Sequence, residues 1–379
     1  DNKNGLGTGS PSGTLALTTI PRATQPTVSS STVALGSSIT INLPRASSSF
    51  THRIYYNFFS ATGLTGGIGN STNATTSTTF TPPAGLASSY MKNTTSNGAV
   101  IYVETRNGST VIGTKSVSVS ITVPNNSTYN PTLTAPTFSE QNSTISSGVS
   151  GIWVQGHSKI RVASTASLKY SATASSVRVY IGGAWRPAKI SGSTVTISSD
   201  YVPTTSGTHS VTVELTDSRG RKATSSGSLV VTAYSKPKLT VSAERNGSES
   251  KYITVTAKLD ITTLSSKNLG TMELYIRQKG ATSWGTVVKQ GTTTSATLNW
   301  GTLNFGNYSD ILSYEVLVQA KDKLTGFSTF FSSISTATVL MDAYKDVGVS
   351  FGKMYEPAKG GSVQIGGDIL VDGTSHLGE

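Results

Sequence analysis

The sequence predicts an all-β fold of tandem antiparallel sandwiches, and three observations predict it. Apolar residues recur at every second position over many short runs. Long-helix formers are scarce beside 59 Ser, 57 Thr and 38 Gly in 379 residues. A strand–turn–strand unit returns three times along the chain. Side chains alternate between the two faces of a strand, so period-two order puts the apolar set on one face and Ser, Thr, Lys and Arg on the other.

Taken in order, residues 1–13 are rich in Gly, Ser and Asn, and are expected to be flexible or packed on a neighbour. TLALTTIPR (14–22) reads as a strand. Ile39, Ile41 and Leu43 share a face, as do Val117, Val119, Ile121 and Val123. The pattern continues in Val177, Val179 and Ile181, in Val211, Val213 and Leu215, and in Ile253, Val255, Ala257 and Leu259. It closes with Met272, Leu274 and Ile276, then Tyr314, Val316, Val318 and Ala320. The repeated hairpins cover 99–124, 209–234 and 313–340, with turns at Asn107-Gly108, Ser218-Arg219-Gly220 and Lys323-Leu324-Thr325-Gly326. Their equivalent valines, Val103, Val213 and Val318, lie about a hundred residues apart, the length of one immunoglobulin-like or fibronectin-like sandwich. The expected division is an extension over 1–22, sandwiches over 23–124, 125–235 and 236–340, and a Gly-rich β coda over 341–379. Val123-Pro124-Asn125-Asn126 and Tyr234-Ser235-Lys236-Pro237 form Pro-stiffened joints. The short coda strands bury little alone, so they are expected to pair with the third sandwich or with other copies.

Composition narrows the function. The chain has no Cys and four scattered His, which excludes a disulfide framework and a thiolate metal site. No apolar run is long enough to span a bilayer as a helix. The net charge is +11. The four consecutive segments 1–124, 125–235, 236–339 and 340–379 carry +5, +5, +4 and −3. The closest approach to a basic run is Arg219-Gly220-Arg221-Lys222, which reads first as a turn, so nucleic acid is not an expected partner. No phosphate loop, dinucleotide fingerprint, nucleophile elbow or His-Glu-x-x-His appears. Carboxylates are sparse, and Glu104, Glu214 and Asp217 fall in the repeated hairpins as turn and surface residues. A non-enzymatic protein with no catalytic residues, cofactor or metal is expected.

Three patches point further. TLALTTIPRATQPTVSSSTVALGSSITINLPRASSSFTHRIYY (14–56), WVQGHSKIRV (153–162) with TDSRGRKATSSGSLVVTAYSKP (216–237), and DVGVSFGKMYE with GGSVQIGGDILVDG in the coda occur in this order. In that combination the chain resembles tail-associated minor structural and host-specificity (antireceptor-type) proteins of siphophages infecting Gram-positive bacteria. The resemblance implies a virion component of the distal tail, fibre or baseplate, extracellular when mature. Its implied partners are other phage tail proteins and host cell-wall polysaccharide or teichoic acid; the short coda strands, which need cross-chain partners, make a homo-oligomer, such as a trimer, the expected assembly. A bacterial surface adhesin or stalk built of similar repeats is the rival, and it would need a secretion signal and an anchor.

Sugar recognition needs an aromatic face against the apolar side of a pyranose, with hydrogen-bonding groups around it. The candidate glycan contacts are Tyr180, Trp185, Arg186, Tyr201 and Trp284. Tyr180 and Arg178 fall on the polar face of their strand, and Gly182-Gly183 turns the chain before Trp185. The structural alternative for Trp185 is an edge of the core with Arg186 stacked on it. Trp153 and Trp300 read as packing residues, and Trp284 as the tip of a hairpin.

Overall fold

The computed structural model describes residues 22–58, 66–71, 76–246 and 251–336, with short strands at 341–344, 348–351, 363–365, 369–371 and 374–376. The extension expected over 1–22 therefore lies outside the described residues, apart from Arg22. The described chain is nearly all strand, arranged as immunoglobulin-like sandwiches around three separate apolar cores.

The first unit comprises β1 (Thr27–Val28), β2 (Thr32–Ala34), β3 (Ile39–Asn42), β4 (Phe50–Phe58), β5 (Gly66–Ser71), β6 (Ser77–Phe80), α1 (Leu86–Tyr90), β7 (Ser96–Asn107) and β8 (Thr110–Thr122). Its sheets run β1-β3-β6 and β2-β8-β7-β4-β5. Ile41, Leu43, Ile101 and Ile121 are fully buried between them, the inward half of each alternating run. The second unit comprises β9 (Thr132–Leu133), β10 (Thr137–Glu140), α2 (Ser143–Gly148), β11 (Trp153–Val154), β12 (Ile160–Ser167), β13 (Ala174–Ile181), β14 (Ala184–Ser191), β15 (Thr194–Ile197), β16 (Gly207–Asp217) and β17 (Lys222–Thr232). Here β14 pairs with both β13 and β15, so the two sheets merge along one edge. The third unit comprises β18 (Lys238–Arg245), β19 (Ile253–Asp260), β20 (Gly270–Gln278), β21 (Lys289–Thr293), β22 (Thr297–Phe305), β23 (Tyr314–Lys321) and β24 (Ser328–Ile334). Its sheets run β18-β19-β22 and β21-β20-β23-β24. In the coda, β25 (Met341–Tyr344) and β26 (Gly348–Phe351) pair antiparallel, and β27 (Val363–Ile365) adds to β26 in parallel. The last two, β28 (Ile369–Val371) and β29 (Thr374–His376), form a hairpin. These described coda strands pair with one another and join no sheet of the third unit.

The joints between cores are built from side chains, and this was not expected. Arg219, only 6% exposed, emerges from the β16–β17 turn and reaches back to the first unit. It donates to the carbonyl of Met91 (2.8 Å), the residue that follows α1, to that of Ala87 within α1 (3.2 Å), and to those of Lys169 and Tyr170 in its own unit. Helix-terminal carbonyls lack intrahelical partners, so a buried guanidinium satisfies several of them at once. Arg221 donates to the carbonyls of Val123 and Pro124 and to Asn130, fastening the Pro-bearing joint itself. Asp217 shapes the turn by accepting the backbone N–H of both Arg219 and Arg221 at 2.9 Å. The run that reads as a surface turn is thus also a clamp.

The second joint reaches the same result with other residues. Asp322 accepts the N–H groups of Leu324 and Thr325, the side-chain amide of Asn268 and the hydroxyl of Tyr234. Lys323 then donates to the carbonyl of Gly148, where α2 ends, and Lys267 donates to that of Ser150. Leu264 adds an apolar peg among Ile145, Val149 and Val154. Beside each joint sits a short left-handed turn of non-glycine residues: Tyr170 and Ser171 at φ 48° and 57°, and Leu264, Ser265 and Ser266 at φ 47–62°. Such backbone is unfavourable by about 1 kcal/mol or more per residue, so surrounding contacts must hold it. Tyr170 is held by stacking on Tyr129 (4.8 Å between centroids) and Leu264 by its apolar socket.

A histidine lies inside the first unit. His52 on β4 is 3% exposed, and its Nε2 shares a hydrogen bond of 2.8 Å with the Thr24 hydroxyl. Burial pushes its pKa below the ordinary 6.5, and Arg45 adds to the shift. As pH falls through 6.5 the unfolded chain takes up a proton that the folded chain refuses. Stability of the first unit is therefore full above that value, declines as pH drops towards the folded pKa, and levels off below it. Protection factors of the β4 amides, corrected for the intrinsic exchange rate, should fall over that interval, and His52→Gln should remove the pH dependence. Equal protection on both sides of the interval would contradict this account.

Candidate functional site

The β13–β14 hairpin turns on Gly182 and Gly183, both left-handed at φ 63° and 80°. This two-residue turn sets the register: Tyr180 opposes Trp185, Val179 opposes Arg186 and Arg178 opposes Pro187. Tyr180, Trp185 and Arg178 consequently share the outward face, while Arg186 falls on the other. Tyr180 meets Trp185 edge to face at 5.5 Å, and the Arg178 guanidinium lies 4.1 Å over the Trp185 ring. Arg178 also pairs with Glu214 of β16 at 2.8 Å. Trp185 remains 43% exposed, on a sheet face rather than at the core edge.

Arg186 packs instead over Tyr201, 5.0 Å from its centroid, so the stacking partner of Trp185 is Arg178 and not Arg186. Tyr201 is buried, and burial pushes its hydroxyl above the ordinary phenol pKa despite Arg186 nearby. Its oxygen lies 3.1 Å from His209 Nδ1, while His209 Nε2 lies 3.0 Å from the Thr205 carbonyl. A carbonyl only accepts, so Nε2 carries a proton. A Cβ at Gly182 would come within 2.5 Å of the Tyr201 hydroxyl, which is why the turn needs glycine there. Tyr180, Gly182, Tyr201 and His209 line a shallow polar cleft of about 330 Å³ beside the aromatic face. Four of the five candidate residues thus come together at one end of the second unit. Trp185 and Tyr180 form its exposed platform, and Tyr201 with Arg186 forms a buried flank.

The fifth, Trp284, lies in the third unit between β20 and β21, separate from the others. The Arg277 guanidinium sits 4.1 Å over its ring, and Phe331 packs edge to face against it at 6.0 Å. Arg277 pairs with Glu315 of β23 at 2.7 Å. Arg277, Glu315, Tyr275 and Phe331 were not singled out by sequence reasoning, though period-two order already places Tyr275 and Arg277 on one outward face. Among the described residues no group of three His, Asp or Glu is placed to hold a metal ion, and no helix is long and apolar enough to cross a membrane.

These features define the class as tandem immunoglobulin-like sandwiches, clamped at their joints and carrying exposed aromatic–arginine faces. The chain belongs to a family of siphovirus proteins of unknown function (DUF859), whose model matches residues 4–376. No curated protein matches it. Among solved structures it is similar to the D1–D4 ectodomain fragment of ICAM-5, at 11% identity and a TM-score of 0.40 over 83% of this chain and 75% of that one. It is also similar to the FN1–FN3 domains of chicken CNTN1, at 10% identity and a TM-score of 0.25 over 83% of this chain and 99% of that one. A third similarity is to the fibronectin(III)-like modules of Clostridium thermocellum CbhA, at 13% identity and a TM-score of 0.23 over 53% of this chain and 94% of that one.

Proposed function

We propose that this siphovirus protein is a structural component of the distal virion tail, fibre or baseplate, and that it touches host cell-wall glycan through its sandwich faces. The observation that carries the glycan part is Trp185. It stays 43% exposed while Arg178 and Tyr180 orient it, the arrangement of a stacking platform rather than of a packing residue. The clamped joints support a load-bearing stalk, because module faces keep fixed positions only when the linkers between them do not swivel. Its work is to hold and touch without transforming: weak contacts on many copies add up because each later contact is effectively intramolecular. Other tail proteins are its assembly partners, with a trimer through the coda as the expected oligomer.

Electron microscopy of purified virions labelled with an antibody to the chain tests placement. Label at the tail tip is expected, and label on the capsid alone, or none on virions, would refute the tail role. Retention of the purified chain on Gram-positive cell walls tests adhesion, and walls that retain none of it would refute the glycan contact.

A further inference from the structure

The same small cluster recurs on the outward face of all three units. On β4, Arg53 stands directly across from Glu104 of β7; on β13, Arg178 stands across from Glu214 of β16; on β20, Arg277 stands across from Glu315 of β23. Each Arg has a Tyr two residues away on its own strand, hence on the same face: Tyr55, Tyr180 and Tyr275. Each unit then completes the cluster with a second ring, and each takes that ring from a different place. In the first unit Tyr102 of β7 stacks on Tyr55 at 5.2 Å; in the second, Trp185 comes from β14; in the third, Trp284 comes from the loop after β20. An ion pair that only steadied two strands would need no ring beside it. Three non-equivalent positions converging on one arrangement, with Trp185 and Phe331 left 43% and 54% exposed, mark a surface kept for contact.

We infer that these are three copies of one binding site, and that each takes a neutral pyranose of a repeating wall polysaccharide. This rests on the glycan-contact reading above and names the class of glycan. The chemistry argues for a neutral sugar. In the second and third units the guanidinium is paired with its Glu, at 2.8 Å and 2.7 Å, and in the second Lys222 also lies 3.6 Å from Glu214, so each site offers donors and an acceptor side by side and not a free cation. That pattern matches two neighbouring hydroxyls, one accepting from Arg and one donating to Glu, while the rings cover the C–H face. In the first unit Glu104 pairs with Arg106 at 2.5 Å and Arg53 lies 6.0 Å from the Tyr55 ring, so that copy also sets a carboxylate beside guanidinium donors, with one positive charge in excess. A phosphate-rich polymer would meet a carboxylate at the centre of every copy. Three sites along one chain suit a polymer that repeats.

The test uses the intact chain on two immobilised probes: wall polysaccharide stripped of teichoic acid, and teichoic acid alone. Retention on the neutral polysaccharide, little changed between low and high salt, is expected. Tyr55→Ala, Trp185→Ala and Trp284→Ala should each weaken it severalfold, and the triple variant by about 100-fold or more, since avidity is lost with the sites. Trp185→Tyr should restore most of the loss, and circular dichroism of each variant separates lost binding from lost fold. Folded triple variant that binds the polysaccharide as well as the parent overturns this inference while leaving glycan contact standing. Retention on teichoic acid only, abolished by salt, also overturns it. Retention on neither probe overturns the glycan reading with it.

Discussion

Arg219→Ala is expected to uncouple the first two units. The side chain is buried, and its removal leaves the carbonyls of Ala87, Met91, Lys169 and Tyr170 without the donor that satisfies them. Hydrogen bonds from a charged donor are worth roughly 1.5–3 kcal/mol each, and they are shared here between two units, so the joint should lose about 3 kcal/mol or more. The loss falls on the interface and not on either core, because no alternating apolar run is touched. Calorimetry should therefore show the first unit melting on its own, earlier than in the parent, while the second keeps its transition. Arg219→Lys should recover part of the coupling only, since one ammonium cannot span acceptors that the planar fork reaches together. A melting profile unchanged by Arg219→Ala would mean that the clamp contributes nothing.

Asp322→Ala should do the corresponding damage at the other joint, with a larger effect on the third unit itself. The carboxylate accepts from Leu324 and Thr325 backbone N–H groups, from Asn268 and from Tyr234, so alanine strands several half-buried donors at once. At about 1–3 kcal/mol for each unsatisfied buried group, a loss of at least about 3 kcal/mol follows. The pH dependence has a defined sign. Burial raises the pKa of Asp322, but the hydrogen bonds from Asn268, Leu324, Thr325 and Tyr234 together outweigh it and hold the group below the ordinary 3.8. Its contribution is thus complete above 3.8 and disappears as pH falls through the lower folded value. Denaturant midpoints of the third unit, followed through Trp284 and Trp300 fluorescence, should drop over that acid range in the parent and drop less in Asp322→Ala.

The cores were legible in the sequence because their signal is local. Ile39, Ile41 and Leu43 predict an inward face from adjacent residues alone, and Ile253 to Leu259 do the same, with every inward member buried. The stack over Trp185 was legible in principle. Once Gly182-Gly183 is read as a two-residue turn, register places Arg178 diagonal to Trp185 and sends Arg186 to the opposite face. The joints were not legible, because Arg219 bonds to residues 128 and 132 positions away and no local pattern announces such partners. Tyr170, Leu264 and Ser265 adopt left-handed backbone with none of the Gly or Asn that usually signals it, since the neighbouring unit supplies the restraint. The coda illustrates a different gap: short Gly-punctuated runs show that strands form there, but pairing with each other or with the third unit depends on contacts that short strands do not encode.

The sandwiches are held in fixed relation by the basic clamps, and the absence of Cys makes this directly measurable. Single cysteines introduced at Thr110 in the first unit and Thr329 in the third, both exposed, can carry spin labels with no background. Pulsed dipolar spectroscopy should give one narrow distance distribution for the parent and a broad one after Arg219→Ala. A parent distribution as broad as that of the variant would contradict the account, since units that swivel freely are not clamped.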